Sequence, residues 1–132
     1  IVKKFGVEKY NAEPYIYSSN IRAPMALDAG QAGVSWLSGT ASWMMIALEE
    51  YIFGVKPCYK GLKIMPCIPD EWKKTVIKRR FRSCEYTIEI DNSATCGNTV
   101  KEIYLDDKKF DGEYILSSAP TASVKVIMGK KK

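Results

Sequence analysis

A hydroxyl, a glycine and a second hydroxyl stand together in the run Trp36-Leu37-Ser38-Gly39-Thr40-Ala41-Ser42-Trp43. Here a glycine-bearing loop gives way to an apolar helical pattern. Free backbone amides at a helix start, with the positive end of its dipole, favour an anion. Ser38 and Thr40 would add hydroxyl donors and Gly39 would let a ligand approach the backbone closely. Phosphate is the ligand that Ser38, Gly39 and Thr40 suit; an ordinary N-terminal cap is the plainer role for the same residues.

The other chemistry-bearing residues are more dispersed. Glu13, Asp28, Glu49 and Glu50 are the carboxylates placed for acid-base work, but nothing in their spacing sets two of them across a scissile bond. Tyr10, Tyr15, Tyr17 and Trp36 could stack on sugar rings, although aromatic side chains fill cores as readily as they form platforms. The chain contains no histidine, which removes Ser-His and Cys-His nucleophile pairs and any His-bearing metal site from these residues. Cys58, Cys67, Cys84 and Cys96 match neither paired CxxC zinc ligands nor a dense disulfide scaffold, so free buried thiols, no metal and a cytoplasmic setting are expected.

With 132 residues, 46% of them hydrophobic and 27% charged, the chain can bury a core. No apolar run reaches the roughly 18 to 20 residues that cross a bilayer, so no membrane association is expected. A chain that opens Ile1-Val2-Lys3-Lys4-Phe5, without Met or a signal-peptide pattern, reads as a processed chain or, preferably, as part of a longer polypeptide. The net charge is +5, shared between a terminal lysine run and the segment from Lys73 to Arg82. As a strand, that segment would put Lys78, Arg80 and Arg82 with Val76 on one face, and Ile77, Arg79 and Phe81 on the other. A solvated strand face explains this better than nucleic-acid binding, which would want exposed aromatics between the cations.

The elements that must hold these groups change character near Gly61. Before it, Met44, Ala47, Leu48, Tyr51, Ile52 and Val55 follow one helix face. Trp43 and Ile46 widen it, so the helix should be covered on more than one side. Gly54 is placed to end it in a left-handed conformation, with Pro57 beyond. Residues 18–35, with Gly30, Gly33 and Pro24, read as a long loop, of a kind that is functional or disordered. After Gly61 come alternating strands: Leu62 to Met65, Tyr86-Ile88-Ile90, Ile103-Leu105 ahead of an Asp106-Asp107-Lys108 turn, and Val124-Val126-Met128, with Trp72 anchoring the turn at Pro66–Asp70. Short strands with polar turns predict an antiparallel β-sandwich or jelly-roll-like domain.

The order Glu13-Pro14-Tyr15-Ile16-Tyr17, then Ser35 to Met44, Leu48-Glu49-Glu50-Tyr51-Ile52-Phe53-Gly54-Val55-Lys56-Pro57, Gly61-Leu62-Lys63-Ile64 and Pro66-Cys67-Ile68-Pro69-Asp70-Glu71-Trp72 resembles the C-terminal region of glycoside hydrolase family 94. That family includes cellobiose, chitobiose and β-1,2-oligoglucan phosphorylases and the phosphorylase-like part of cyclic β-1,2-glucan synthases. The resemblance implies an α+β piece: residues 1–60 as the last helix and loops of an (α/α)6 catalytic barrel, and residues 61–132 as a C-terminal β-domain. It implies inverting phosphorolysis of β-linked gluco-oligosaccharides to an α-sugar 1-phosphate, with inorganic phosphate as co-substrate and no cofactor. By position the family's phosphate-binding Thr-Gly pair becomes Ser38-Gly39 here. Its sugar-contacting Gln falls at Ser19, a departure from the disaccharide-specific members, and the run Ser18 to Pro24 looks closer to the β-1,2-glucan members. The family's catalytic Asp, and its phosphate-binding Arg and His residues, lie upstream, so no catalytic residue is expected in this chain and these residues alone should be inactive. A homo-oligomer formed through the longer chain is also expected. The alternatives are a non-catalytic carbohydrate-binding β-domain or a purely structural one.

Overall fold

The computed structural model describes residues 6–13, 16–36, 39–95 and 98–130. Tyr15, Ser38 and Cys96, singled out above, lie outside them. The chain forms two compact units, Ile1–Ile46 and Ala47–Lys132. The strands ending at Cys58 and starting at Gly61 pair with each other within the second unit.

Among the described residues unit 1 contains two short helices, α1 (Val7–Tyr10) and α2 (Thr40–Ile46), neither with a buried residue. Between them residues 19–34 double back on themselves. Ile21 bridges Ala32, and backbone bonds run from Ser19 N to Val34 O, Arg22 N to Gln31 O and Gly33 N to Asn20 O at 2.7–2.9 Å. The predicted long loop is thus an irregular hairpin. Its width is set by main-chain pairing, which satisfies polar groups that a buried loop would otherwise strand.

Unit 2 opens with a π-helical segment, Ala47–Ile52, followed by strands β1 (Val55–Cys58) and β2 (Gly61–Ile64), which form a hairpin. Gly54 does take the left-handed conformation (φ 66°), and a Cβ there would sit 2.0 Å from the Met65 carbonyl oxygen. Only glycine can let the chain turn from helix into β1 at that spot. Val55, expected on the helix face, instead starts a strand and is 1% exposed. Pro57, expected as a helix stop, sits in β1 opposite Leu62, on a strand whose missing donor a two-stranded hairpin tolerates.

The main sheet comprises β3 (Lys74–Phe81), β4 (Cys84–Asp91), β5 (Val100–Leu105), β6 (Lys108–Phe110) and β7 (Thr121–Met128), in the order β3-β4-β7-β5-β6. β7 pairs antiparallel with β5 but parallel with β4. The sheet is therefore mixed, which corrects the antiparallel expectation. Alternation in a sequence fixes which face each side chain takes; it does not say that the last strand will insert between β4 and β5 rather than add at an edge.

The face assignment holds along β3, β4 and β7, whereas in β5 Glu102, Ile103, Tyr104 and Leu105 are all half-buried beside a register shift at Val100–Glu102. Tyr86, Ile88 and Ile90 of β4 stand beside Ala122, Val124 and Val126 of β7, all buried. Val55, Leu62 and Ile64 of the hairpin, with Ile68 and Ile115, complete this core. Reciprocal Leu62–Ile115 backbone bonds of 2.8 Å fasten the hairpin to the segment ahead of β7. The buried Tyr86 hydroxyl accepts the Ser117 amide at 2.8 Å, and burial raises its pKa. Asp106 and Asp107 both have positive φ (47° and 62°), the geometry of a tight hairpin turn whose twist matches the strands it joins. Trp72 packs on Phe53 with ring centroids 6.2 Å apart, and its amide bonds the Pro69 carbonyl, which anchors the proline turn as expected.

On β3, Lys74, Val76, Lys78 and Arg80 are exposed and Thr75, Ile77, Arg79 and Phe81 are half-buried. Arg79, on the inner side, donates to Glu49 of the π-helical segment, a pairing that a cation on a core-facing position requires. The outer cations meet an acidic row, Arg80 opposite Glu85 and Lys74 opposite Asp91. Among the described residues the three thiols are free: Cys84 is buried as expected, whereas Cys58 is half-buried and Cys67 exposed. Among the described residues no helix is long and apolar enough to cross a membrane.

Replacing Ile88 by Ala should cost about 3 kcal/mol of unfolding free energy, a buried large-to-small change at the centre of the core. Val76→Ala on the opposite face should change stability by under about 0.5 kcal/mol. Urea titrations of the two variants check the contrast.

Candidate functional site

An exposed carboxylate joins two segments of unit 1. Glu13 accepts the Ser35 hydroxyl at 2.7 Å on one oxygen and the Trp36 indole N–H at 3.0 Å on the other. The Ser35 bond foremost, with help from Trp36, holds the Glu13 pKa below its usual 4.5. A carboxylate so stabilised in its charged form is a poor general acid at neutral pH and a good anchor. It ties the end of the irregular hairpin, at the start of the Trp36-to-Trp43 run, to the segment after α1. This contact spans more than twenty residues of sequence. A Glu and a Ser-Trp pair at that separation give no local signal, although the pairing of a carboxylate with an indole donor is chemically ordinary once the loop is known to close.

The remaining carboxylates are held in different ways. Asp28 pairs with Arg22 at 3.2 Å across the hairpin tip, and Glu49 belongs to Arg79 in unit 2. Ser19 spends both its amide and its hydroxyl on the Val34 carbonyl, at 2.7 and 2.8 Å, and thereby closes the hairpin neck. The Tyr10 and Ser18 hydroxyls lie 3.2 Å apart at the same neck. Among the described residues no cluster of His, Cys, Asp or Glu could hold a metal ion.

At the start of α2, the Gly39 carbonyl accepts the Trp43 amide at 3.1 Å, the first bond of that helix. A Cβ on Gly39 would come 3.6 Å from the Trp43 ring, an ordinary contact. Gly39 is thus not forced by packing, and its bareness leaves the backbone beside Thr40 accessible. Ser38 lies outside the described residues. The apolar surface around this corner is unusually open: Trp36 and Trp43 are each 72% exposed, and Met45 is 56% exposed. The broad helix face expected to be covered on several sides is uncovered along α2.

These residues belong to a stretch with known relatives. Residues 2–54 match the glycosyl hydrolase 94 superfamily, catalytic domain. The chain belongs to that family. It is 34% identical over 120 residues to the solabiose phosphorylase of Paenibacillus borealis, an overlap of 88% of this chain and 15% of the relative. It is 36% identical over 106 residues to an N,N'-diacetylchitobiose phosphorylase of Vibrio proteolyticus, covering 80% of this chain and 13% of that enzyme. Similarity extends to the cyclic β-(1,2)-glucan synthase NdvB of Rhizobium meliloti, 30% identical over 96 residues, which are 73% of this chain and 3% of the synthase. This family 94 chain therefore spans only a small part of the length of these relatives.

The Glu13 anchor has a pH signature. Its pKa is depressed, so the bonds it accepts are fully present above the ordinary carboxylate pKa of 4.5 and are lost as pH falls through the lower folded value. The Trp36 indole proton resonance should accordingly hold its position from neutral pH down past 4.5 and move only below it. In Glu13→Gln that acid transition should vanish from the Trp36 signal.

Proposed function

We propose that this chain is the C-terminal part of an inverting glycoside phosphorylase acting on β-linked gluco-oligosaccharides, with residues 1–60 closing its (α/α)6 catalytic barrel and residues 61–132 forming the C-terminal β-domain that follows it in the chain. In that reaction a carboxylic acid upstream of this chain protonates the leaving glycosidic oxygen. Phosphate takes the place of the water an inverting hydrolase would use and attacks the opposite face of the sugar, giving an α-sugar 1-phosphate. Phosphate is already an anionic nucleophile, so it needs no general base. What it needs is a cradle that places it in line and offsets its charge.

Ser38, Gly39 and Thr40 are assigned to one corner of that cradle. Backbone amides ahead of α2 and two hydroxyls donate to phosphate oxygens, and the bare Gly39 admits the anion. The remaining corners, cationic and histidine, belong to upstream polypeptide, and so does the acid. Ser19 stands at the sugar-contacting position, where its engagement with Val34 points to a role in shaping the hairpin neck beside the substrate. The observation that carries the reading is the match to the family's catalytic domain over residues 2–54, a stretch that contains all four residues. The phosphorylases among its relatives extend the similarity across most of the chain.

The exposed Trp43, Met44, Met45 and Ile46 suit the same assignment, since a barrel's closing helix is completed by neighbours that precede it in the chain. No cofactor, metal, nucleic acid or membrane enters this scheme; the partners are phosphate, a β-glucoside and further copies of the full-length protein, in the cytoplasm.

In the full-length protein, Ser38→Leu should raise the phosphate KM at least about tenfold, the worth of one charge-assisted hydrogen bond, with the KM for the sugar little changed. An unaltered phosphate KM would remove Ser38 from the cradle. The 132-residue chain by itself should release no sugar 1-phosphate from any β-glucoside in the presence of phosphate.

A further inference from the structure

Unit 2 carries a groove of about 820 Å³ that neither the core nor the phosphate corner uses. One wall is β2 and the residues after it; the other is β5 with β6 and the segment leading out of it. Ile64, Val100, Ile103 and Phe110 give it an apolar lining continuous with the core. Its volume falls within the roughly 300–1,000 Å³ typical of small-molecule sites.

The charges around it select the ligand. Lys63, Lys101 and Lys109 line the groove together with Glu102, Asp111 and Glu113, three ammoniums against three carboxylates. Lys63 pairs with Glu113 at 2.8 Å and Lys109 with Glu102 at 3.5 Å. Lys101 and Asp111 make no hydrogen bond or ion pair among the described residues. An open donor and an open acceptor thus border one apolar trough of zero net charge. A phosphorylated or polyanionic ligand would meet three carboxylates there, and a cationic one three ammoniums. A neutral polyhydroxylated ligand meets neither penalty: each hydroxyl both donates and accepts, so it can serve Asp111 and Lys101 alike, while the C–H faces of a pyranose ring cover apolar surface.

Phe110 is held for such a contact. A Cβ at Gly112 would lie 2.5 Å from the tip of its ring, so the ring occupies space that only a glycine leaves open. We propose that this groove is a binding site for a neutral oligosaccharide chain, separate from the phosphate corner, with Asp111 and Lys101 reading hydroxyls and Phe110 supporting a ring. It would hold the glycan without transforming it.

The test is a titration of the isotope-labelled 132-residue chain with an uncharged β-linked glucotriose, followed by amide resonances. Shifts are expected for Asn98–Ile103 and Phe110–Glu113, with millimolar affinity and no change over residues 18–43. A failed phosphate assignment would leave this pattern intact, because the two sets of residues do not overlap. Asp111→Asn and Lys101→Met, both at groove-rim positions outside the core, should each weaken the response about three- to tenfold. Gly112→Ala, which must displace the Phe110 ring, should do the same with both charges retained. The proposal is overturned if the trisaccharide moves none of these resonances at millimolar concentration, if it moves only those of residues 18–43, or if a capped trialanine peptide produces the same shifts as the sugar.

Discussion

The burial of one face of β4 beside one face of β7 is the constraint on which unit 2 depends. Those two strands occupy the middle of the sheet and supply its most deeply buried side chains, from Tyr86 to Ile90 and from Ala122 to Met128. Every other element of the unit is placed by reference to them. The β1–β2 hairpin covers their apolar face, the Ser117 amide comes to rest on Tyr86, and the outer strands extend the row of contacts through Ile77, Ile103 and Leu105. A one-residue slip of β7 would turn its apolar set outward, so the parallel register is fixed by burial.

Unit 1 is organised on a different principle. Neither of its described helices has a buried residue, and its order comes from main-chain pairing across the hairpin neck, the Arg22–Asp28 pair and the two hydrogen bonds that Glu13 accepts. Its Met25, Leu27, Trp36, Trp43 and Met45 side chains face outward. The groove of unit 2 contrasts with it, since there the apolar lining and polar rim are all supplied by one compact unit.

Much of unit 2 was legible in the sequence because alternation reports faces directly. The outward placement of Val76, Lys78 and Arg80, the inward placement of Ile77, Arg79 and Phe81, and the buried rows of β4 and β7 follow from period-two patterning alone. Pairing order did not follow, since a strand's own residues do not name its neighbours; hence the mixed sheet. Val55 and Pro57 misled for a related reason. Val55 continued the helical spacing, and only the Gly54 turn against Met65 shows that the chain had already changed direction. At the candidate site, the Ser-Gly-Thr run could be recognised from residue type and order. The Glu13 anchor could not, because it joins residues brought near only by closure of the intervening hairpin.

The two outermost strands of the main sheet are both lysine- or arginine-bearing: β3 with Lys74, Lys78 and Arg80, and β6 with Lys108 and Lys109. Unpaired strand margins are templates on which a second molecule can add its own ladder, and like charge at such margins opposes that addition. Two cationic borders mean that sheets of separate copies repel one another whichever borders approach. The protection is electrostatic and so is screened as ionic strength rises and the Debye length contracts to a few ångströms, which makes concentrated salt the condition under which this sheet would most readily grow from one molecule into the next.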